Sequence, residues 1–161
     1  MNDDQIQNLL EEYIEIKDLQ LSKKDKEKFI DLNKKLQKKL TVKTSSFNVE
    51  VKYLTGRRRQ FTLINKKIEF NSSYQDKFFV ESIPKEIIES SDNIKIITKN
   101  ANIINKDPVF EFKLKDLNEI TYYIKKEVPL ENIPKIKSYV ISEDYSDYKK
   151  GMSSVSGFSI F

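Results

Sequence analysis

The sequence predicts an α+β chain: an N-terminal helical hairpin over residues 3–40, then a mainly antiparallel β-sandwich of about seven strands over 47–142. Three observations predict it. Apolar residues recur at helical spacing through residues 4–17 and 29–40. At residue 47 the apolar period drops from helical to two. From there, short apolar runs alternate with turn residues to residue 142. The expected division is a helical hairpin at 1–44, a sandwich domain at 45–142 and a flexible tail at 143–161.

The first helix carries Ile6, Leu9, Leu10, Tyr13 and Ile14 on one stripe, with Asp3 or Asp4 as the expected cap. The second begins at Ser22, with Asp25 as a short-armed capping box. Phe29, Leu32, Leu36 and Leu40 form its apolar face, and Lys34, Lys35, Lys38 and Lys39 crowd its last turns, where the helix dipole favours cations.

In the β region, FNVEVKYL alternates as Phe47, Val49, Val51 and Tyr53, and Thr55-Gly56 turns the chain into RRRQFTLINKKIEF as a hairpin. There Phe61 and Leu63 share one phase and Ile64, Ile68 and Phe70 the other, which predicts a bulge near Ile64-Asn65 or a strand that passes there from one sheet to another. KFFVESI (77–83) reads as a buried strand. Pro84 opens about two turns of helix in KEIIES. IKIITK (94–99) is a strand and ANIINKD (101–107) a connection. Pro108 suits the first residue of the VFEFKL strand, because it cannot donate to a ladder. DLNE turns the chain into ITYYIKKEV, a short turn or helix fills 129–137, and KSYVIS is the last strand.

Composition narrows the chemistry. The chain of 161 residues has 38% hydrophobic residues, enough to bury a core, so disorder is not expected. It has no Cys, His or Trp. That removes disulfides, thiolate chemistry, Cys-based zinc sites, the commonest general base and the commonest metal ligand. No cofactor, metal or catalytic constellation is expected, and the expected class is not an enzyme. Net charge is +4, from 29 basic and 25 acidic residues, which permits nucleic acid or an acidic surface as a partner and requires neither. Abundant Lys and Glu is compatible with a thermophilic source, and an AT-rich genome also favours Lys, Ile and Asn codons.

The densest positive charge is Arg57, Arg58 and Arg59 with Lys66 and Lys67 nearby: an anion or nucleic-acid contact at a hairpin end, or cations guarding an edge strand. Asn71-Ser72-Ser73 fits a glycan acceptor on a loop. Ser82-x-x-Lys85 and Ser91-Asp92-Asn93 match fragments of a penicillin-recognising site, but lie too close together and lack the third motif. A calcium site needs six to eight oxygens at defined positions; Glu143, Asp144 and Asp147, in a Ser-rich tail, read instead as solvated charge, with Tyr145 and Tyr148 as an alternative interaction patch.

The segments VEVKYLTGRRRQFTLINKKI, FFVESIPKEIIESSDNI and DPVFEFKLKDLNEITYYIKKEV, in that order, resemble a β-sandwich module of archaeal surface and membrane-anchored proteins. The resemblance spans about Phe47 to Ile141 and leaves out the helices. It implies an immunoglobulin-like or fibronectin-like fold and no defined activity. DLNE stands where these modules often carry a Pro-Gly-Glu turn. On this basis the expected function is a non-catalytic interaction or structural module of an envelope-associated protein. Its protein partners are unidentified, and membrane contact would come only through a segment absent from this chain. The alternative is a cytoplasmic nucleic-acid-binding protein using the Arg57–Arg59 hairpin and the Lys-rich second helix.

Overall fold

A computed structural model describes residues 1–143. Two helices precede eight strands. Helix α1 (Asp3–Ile16) starts from Asn2, not from Asp3 or Asp4. The Asn2 side chain accepts from Gln5 N while Gln5 returns a bond to the Asn2 backbone, satisfying two otherwise orphaned donors. Helix α2 (Lys23–Gln37) starts from Ser22 as expected, and Asp25 reaches the Ser22 hydroxyl at 2.7 Å.

The strands are β1 (Leu40–Lys52), β2 (Arg58–Phe70), β3 (Lys77–Ser82), β4 (Ile94–Ile96), β5 (Ala101–Asn105), β6 (Val109–Lys113), β7 (Glu119–Ile124) and β8 (Lys137–Ser142). They form two four-stranded sheets of order β1-β2-β7-β4 and β5-β6-β3-β8, with every pairing antiparallel. A 3-10 turn (Ser91–Asn93) leads into β4, and a second (Leu130–Lys135) leads into β8.

Several expectations are corrected. β1 begins at Leu40, so Leu40 belongs to a strand, and the expected boundary at 44/45 falls inside β1. β2 has no phase switch: its register with β1 is continuous, with Thr62, Ile64, Lys66, Ile68 and Phe70 buried and the odd-numbered residues on the other face. Phe61 and Leu63 on the outward face, with polar Thr62 and Lys66 at inward positions, made the pattern look broken. The KEIIES helix is a single turn, closed by Ile87 N and Ile88 N on the Pro84 carbonyl. Ile83, Ile87 and Ile88 leave it for the core. Residues 101–105 form β5 rather than a connection.

The layers follow from side-chain alternation. Between the sheets lie Ile64 and Ile68 of β2, Ile120, Tyr122 and Ile124 of β7, Phe79 of β3, Phe110 and Phe112 of β6 and Val140 of β8. On the far side of the second sheet, Val80, Val109, Tyr139 and Ile141 pack against Ile6, Leu10, Tyr13 and Ile14 of α1 and Phe29 and Ile30 of α2. The order is helices, second sheet, first sheet. Among the described residues, no third layer covers the outward face of the first sheet.

Candidate interaction surface on the first sheet

Register places one face of the first sheet outward. Phe47 and Val49 of β1 stand opposite Leu63 and Phe61 of β2, and Leu63 stands opposite Tyr123 of β7. Phe47 is 59% exposed and Val49 37%, while Phe61, Leu63 and Tyr123 are half-buried. The Phe61 and Tyr123 rings lie 5.5 Å apart at 49°, a tilted aromatic pair. The apolar row is ringed by cations on the same face. Lys43 and Lys67 pair across β1 and β2, Arg59 lies opposite Val51, and Lys95 of β4 lies opposite Tyr123. The acidic residues of this face are Glu69, ion-paired with Lys43 at 3.6 Å, and Glu119, hydrogen-bonded by Asn65.

The hairpin runs past the sandwich as a two-stranded arm. Its turn closes through Tyr53 N to the Arg57 carbonyl and Gly56 N to the Tyr53 carbonyl. Gly56 sits at φ +82°, a conformation that costs a residue with a Cβ. The arm carries Arg57, Arg58 and Arg59, all exposed. Arg59 lies over the Tyr53 ring at 5.9 Å, a cation–π contact. Arg58 alternates to the other face and meets Glu50 at 3.5 Å.

The five basic candidates do not form one cluster. Lys67 is eight residues from Arg59 along β2, about 26 Å at the rise of a strand. Lys66 is not on the surface at all, and this corrects the expected anion site. Its ammonium is 2.6 Å from Glu81 Oε1 and donates to Ser138 Oγ at 2.6 Å. Ser138 and Tyr122 donate to the two Glu81 oxygens, each at 2.6 Å. Glu81 is fully buried and Lys66 is 2% exposed. A buried ion pair needs such extra hydrogen bonds to offset its desolvation. The network ties β2 and β7 of the first sheet to β3 and β8 of the second. Burial, with the charge of Glu81, pushes the Tyr122 phenol well above its ordinary range.

A second polar network fastens α1 to the second sheet. The Tyr13 hydroxyl is 2.5 Å from Glu143 Oε1 and 3.1 Å from Glu111 Oε2. Lys17 donates to Glu111 at 3.0 Å, and Asn102 donates to the same oxygen at 2.9 Å. Burial raises the Tyr13 pKa, and so do the bond to Glu143 and the charge of Glu111. Burial opposes the Lys17 charge, but Glu111 and Glu143 outweigh it and hold Lys17 above the ordinary lysine range.

Glu143 of the expected acidic cluster is therefore tied to α1; Asp144, Tyr145, Asp147 and Tyr148 lie outside the described residues. Asn71 is exposed just after β2, where its N–H bonds the Lys39 carbonyl. Lys85 pairs with Asp107 at 3.0 Å, and Ser90 caps the 3-10 turn at Ser91.

A half-open cleft of about 980 Å³ lies between the loops after β2 and β6. Tyr74, Phe78, Leu114 and Leu117 give it apolar lining, and Lys77, Lys113 and Lys115 give it charge. Among the described residues none of these lysines is ion-paired with a carboxylate of the cleft. No group of three or more potential metal ligands gathers among the described residues, and no helix there is long and apolar enough to cross a membrane.

The outward aromatic row was partly legible: Phe47, Val49, Val51 and Tyr53 alternate in the sequence. Tyr123 was missed, because only the β2–β7 register brings it beside Leu63. No family model, curated protein or solved structure matches this chain.

Proposed function

We propose that this chain is a non-catalytic interaction module that engages its partner with the outward face of the first sheet. One observation carries the reading: Phe47, Val49, Phe61, Leu63 and Tyr123 form an apolar row on a face that no other layer covers among the described residues. Exposed contiguous apolar surface with a polar rim is the ordinary mark of a binding site. Support for an immunoglobulin-like reading is the placing of β1, β2 and β7 side by side in one sheet, as strands A, B and E, and of β3 beside β8 in the other, as C and F; β5 and β6 have no counterpart in it, and among the described residues no strand flanks β8 as G would. With the resemblance of residues 47–141 to surface modules, this favours an envelope-associated protein. The test is a photo-reactive residue at Phe61 or Tyr123 in source cells, with Glu27 on the exposed side of α2 as control. Adducts at the two sheet positions and none at Glu27 are expected. Adducts at Glu27 alone would overturn the reading.

A second reading is single-stranded nucleic acid, favoured by the cations around the aromatic row and by Arg59 on Tyr53. It requires affinity that falls steeply with salt and is lost when Arg57, Arg58 and Arg59 become Ala. Binding that ignores salt, or survives that triple variant, would exclude it.

A further inference from the structure

We propose that the tip of the β1–β2 arm docks on an anionic lipid surface, with Leu54 entering the apolar edge of the bilayer and Lys52, Arg57, Arg58 and Arg59 contacting headgroup phosphates. Membrane contact was expected only through a segment absent from this chain; the arm places it on this chain. The observation is an apolar residue where folding has no use for one, set inside a collar of cations.

Tyr53, Leu54, Thr55 and Gly56 make the turn, closed by Gly56 N on the Tyr53 carbonyl. Turn positions ordinarily hold Gly, Asn, Asp, Ser or Pro. Here a leucine stands at the second position and is fully exposed. Tyr53 beside it is exposed too, and apolar side chains continue back along the strand through Val51 and Val49 to Phe47. Leu54 is therefore no isolated surface residue; it ends an apolar row. Every residue from Lys52 to Gln60 is exposed, so the arm stands clear of the sandwich on both faces. β2 meets β7 only from Thr62 onward. Residue 143, where the described chain stops, lies at the opposite end of the sandwich. Ser142 pairs with Lys77, and Glu143 N bonds the Asp76 carbonyl, past the far end of β2 at Phe70.

Charge completes the fit. Residues 50–60 hold four cations and one carboxylate, Glu50. Lys52 and Arg58 are cross-strand partners on one face, and each meets Glu50 at 3.5 Å. Arg59 lies on the other face, over the Tyr53 ring. Cations thus stand on both faces about two residues, or about 6.6 Å of strand, behind the tip. An apolar group at the headgroup–acyl boundary enters to a similar depth, about 5–10 Å. The long stems of Lys and Arg let their charged ends stay at the phosphates while the tip goes deeper. Each cation near an anionic surface adds attraction, and Leu54 adds apolar burial. A polynucleotide would use the cations and leave Leu54 in water. Arg59 also occupies one face of the aromatic ring on which a base would stack. The bilayer is therefore the better fit.

The test is co-sedimentation of the full chain with vesicles of phosphatidylcholine, alone and with phosphatidylglycerol added, beside titration with a single-stranded oligonucleotide at the same salt. Binding to the phosphatidylglycerol vesicles only is expected. It should weaken roughly tenfold or more in R57A/R58A/R59A, and again in Leu54→Ser. The chain has no Trp, so Leu54→Trp supplies a single reporter. Its emission should shift to the blue on the anionic vesicles and be quenched by brominated acyl chains. Circular dichroism would confirm that the variants fold. No binding to anionic vesicles, equal binding to phosphatidylcholine alone, or binding to the oligonucleotide only would overturn the proposal. Vesicle binding that Leu54→Ser leaves unchanged, or an unshifted emission in L54W, would overturn it equally. Cross-linking at Phe61 or Tyr123 reads the face of the sheet and vesicle binding reads the arm's tip, so the two readings fail separately.

Discussion

The second sheet, β5-β6-β3-β8, is covered on both faces. Phe79, Phe110 and Val140 point to the first sheet, while Val80, Val109 and Tyr139 point to the helices. The first sheet buries Ile64, Ile68 and Tyr122 on one side and presents Phe47, Val49 and Tyr123 on the other. Both are antiparallel sheets of four strands, yet charge is handled differently in each. The carboxylates the second sheet buries, Glu81 and Glu111, are fully partnered. The cations of the first sheet's outer face stand around an apolar row. Buried polar pairing is therefore concentrated in the second sheet and its two neighbours, and the proposed interaction surface is the outer side of the first.

The sharpest way to break that contrast is at Glu81. Glu81→Ala leaves Lys66 buried without its counter-charge and Tyr122 and Ser138 without an acceptor. The expected loss is about 3–5 kcal/mol, read by urea unfolding. Phe47→Ala, on the open face, should lie within about 0.5 kcal/mol of wild type in the same assay. Comparable losses at the two positions would remove the distinction.

Next in size is the cover that side-chain amides of α2 give β8. Gln37 donates to the Val140 carbonyl at 2.7 Å and accepts from Val140 N at 2.9 Å, and Asn33 accepts from Ser142 N at 2.8 Å. Asn33→Leu strands Ser142 N, and Gln37→Leu strands both Val140 groups. Each should cost about 1–3 kcal/mol, and hydrogen exchange should rise at Val140 or Ser142 first. Wild-type exchange at both amides would show that the cover is incidental.

High pH gives a more graded effect. Tyr13, Tyr122 and Tyr139 all have raised folded-state pKa values, chiefly from burial and then from nearby carboxylates. A raised folded pKa stabilises fully below the unfolded value, near 10 for tyrosine, and that contribution is lost as pH rises above it. Stability should fall above about pH 10 by about 1.4 kcal/mol per pH unit for each such tyrosine. Tyr13→Phe should make the fall shallower by one tyrosine's share. A midpoint flat up to pH 12, about two units above the tyrosine reference, would contradict this.

The smallest expected effect on folding lies in the arm. Replacing Arg57, Arg58 and Arg59 with Ala removes exposed charge and the ion pair with Glu50. Thermal unfolding should move by less than about 1 kcal/mol. A larger loss would make the arm part of the folded core's support.

Much of the fold was legible because period and punctuation agreed. The stripe from Ile6 to Ile14, the cap at Ser22, the Thr55-Gly56 turn and Pro108 ahead of β6 all carry local physical reasons. What was not legible depended on distant partners. Lys66 read as surface charge because nothing near it in the sequence announces Glu81, fifteen residues on in another sheet. Asn33 and Gln37 read as ordinary helix residues until β8 arrives beside them. β1 was read as too short because Leu40 fitted the apolar stripe of the second helix and Lys43, Ser45 and Ser46 are weak strand signals; pairing with β2 overrides them. Of the outward surface, the β1 row could be read from alternation, and the Tyr123 end could not.

Residue-resolved hydrogen exchange on β1 and β8 tests the central contrast most directly. The account predicts slow exchange along β8. On β1, an edge strand, it predicts alternate amides that exchange quickly. Uniformly slow exchange on β1, equal to that on β8, would contradict it.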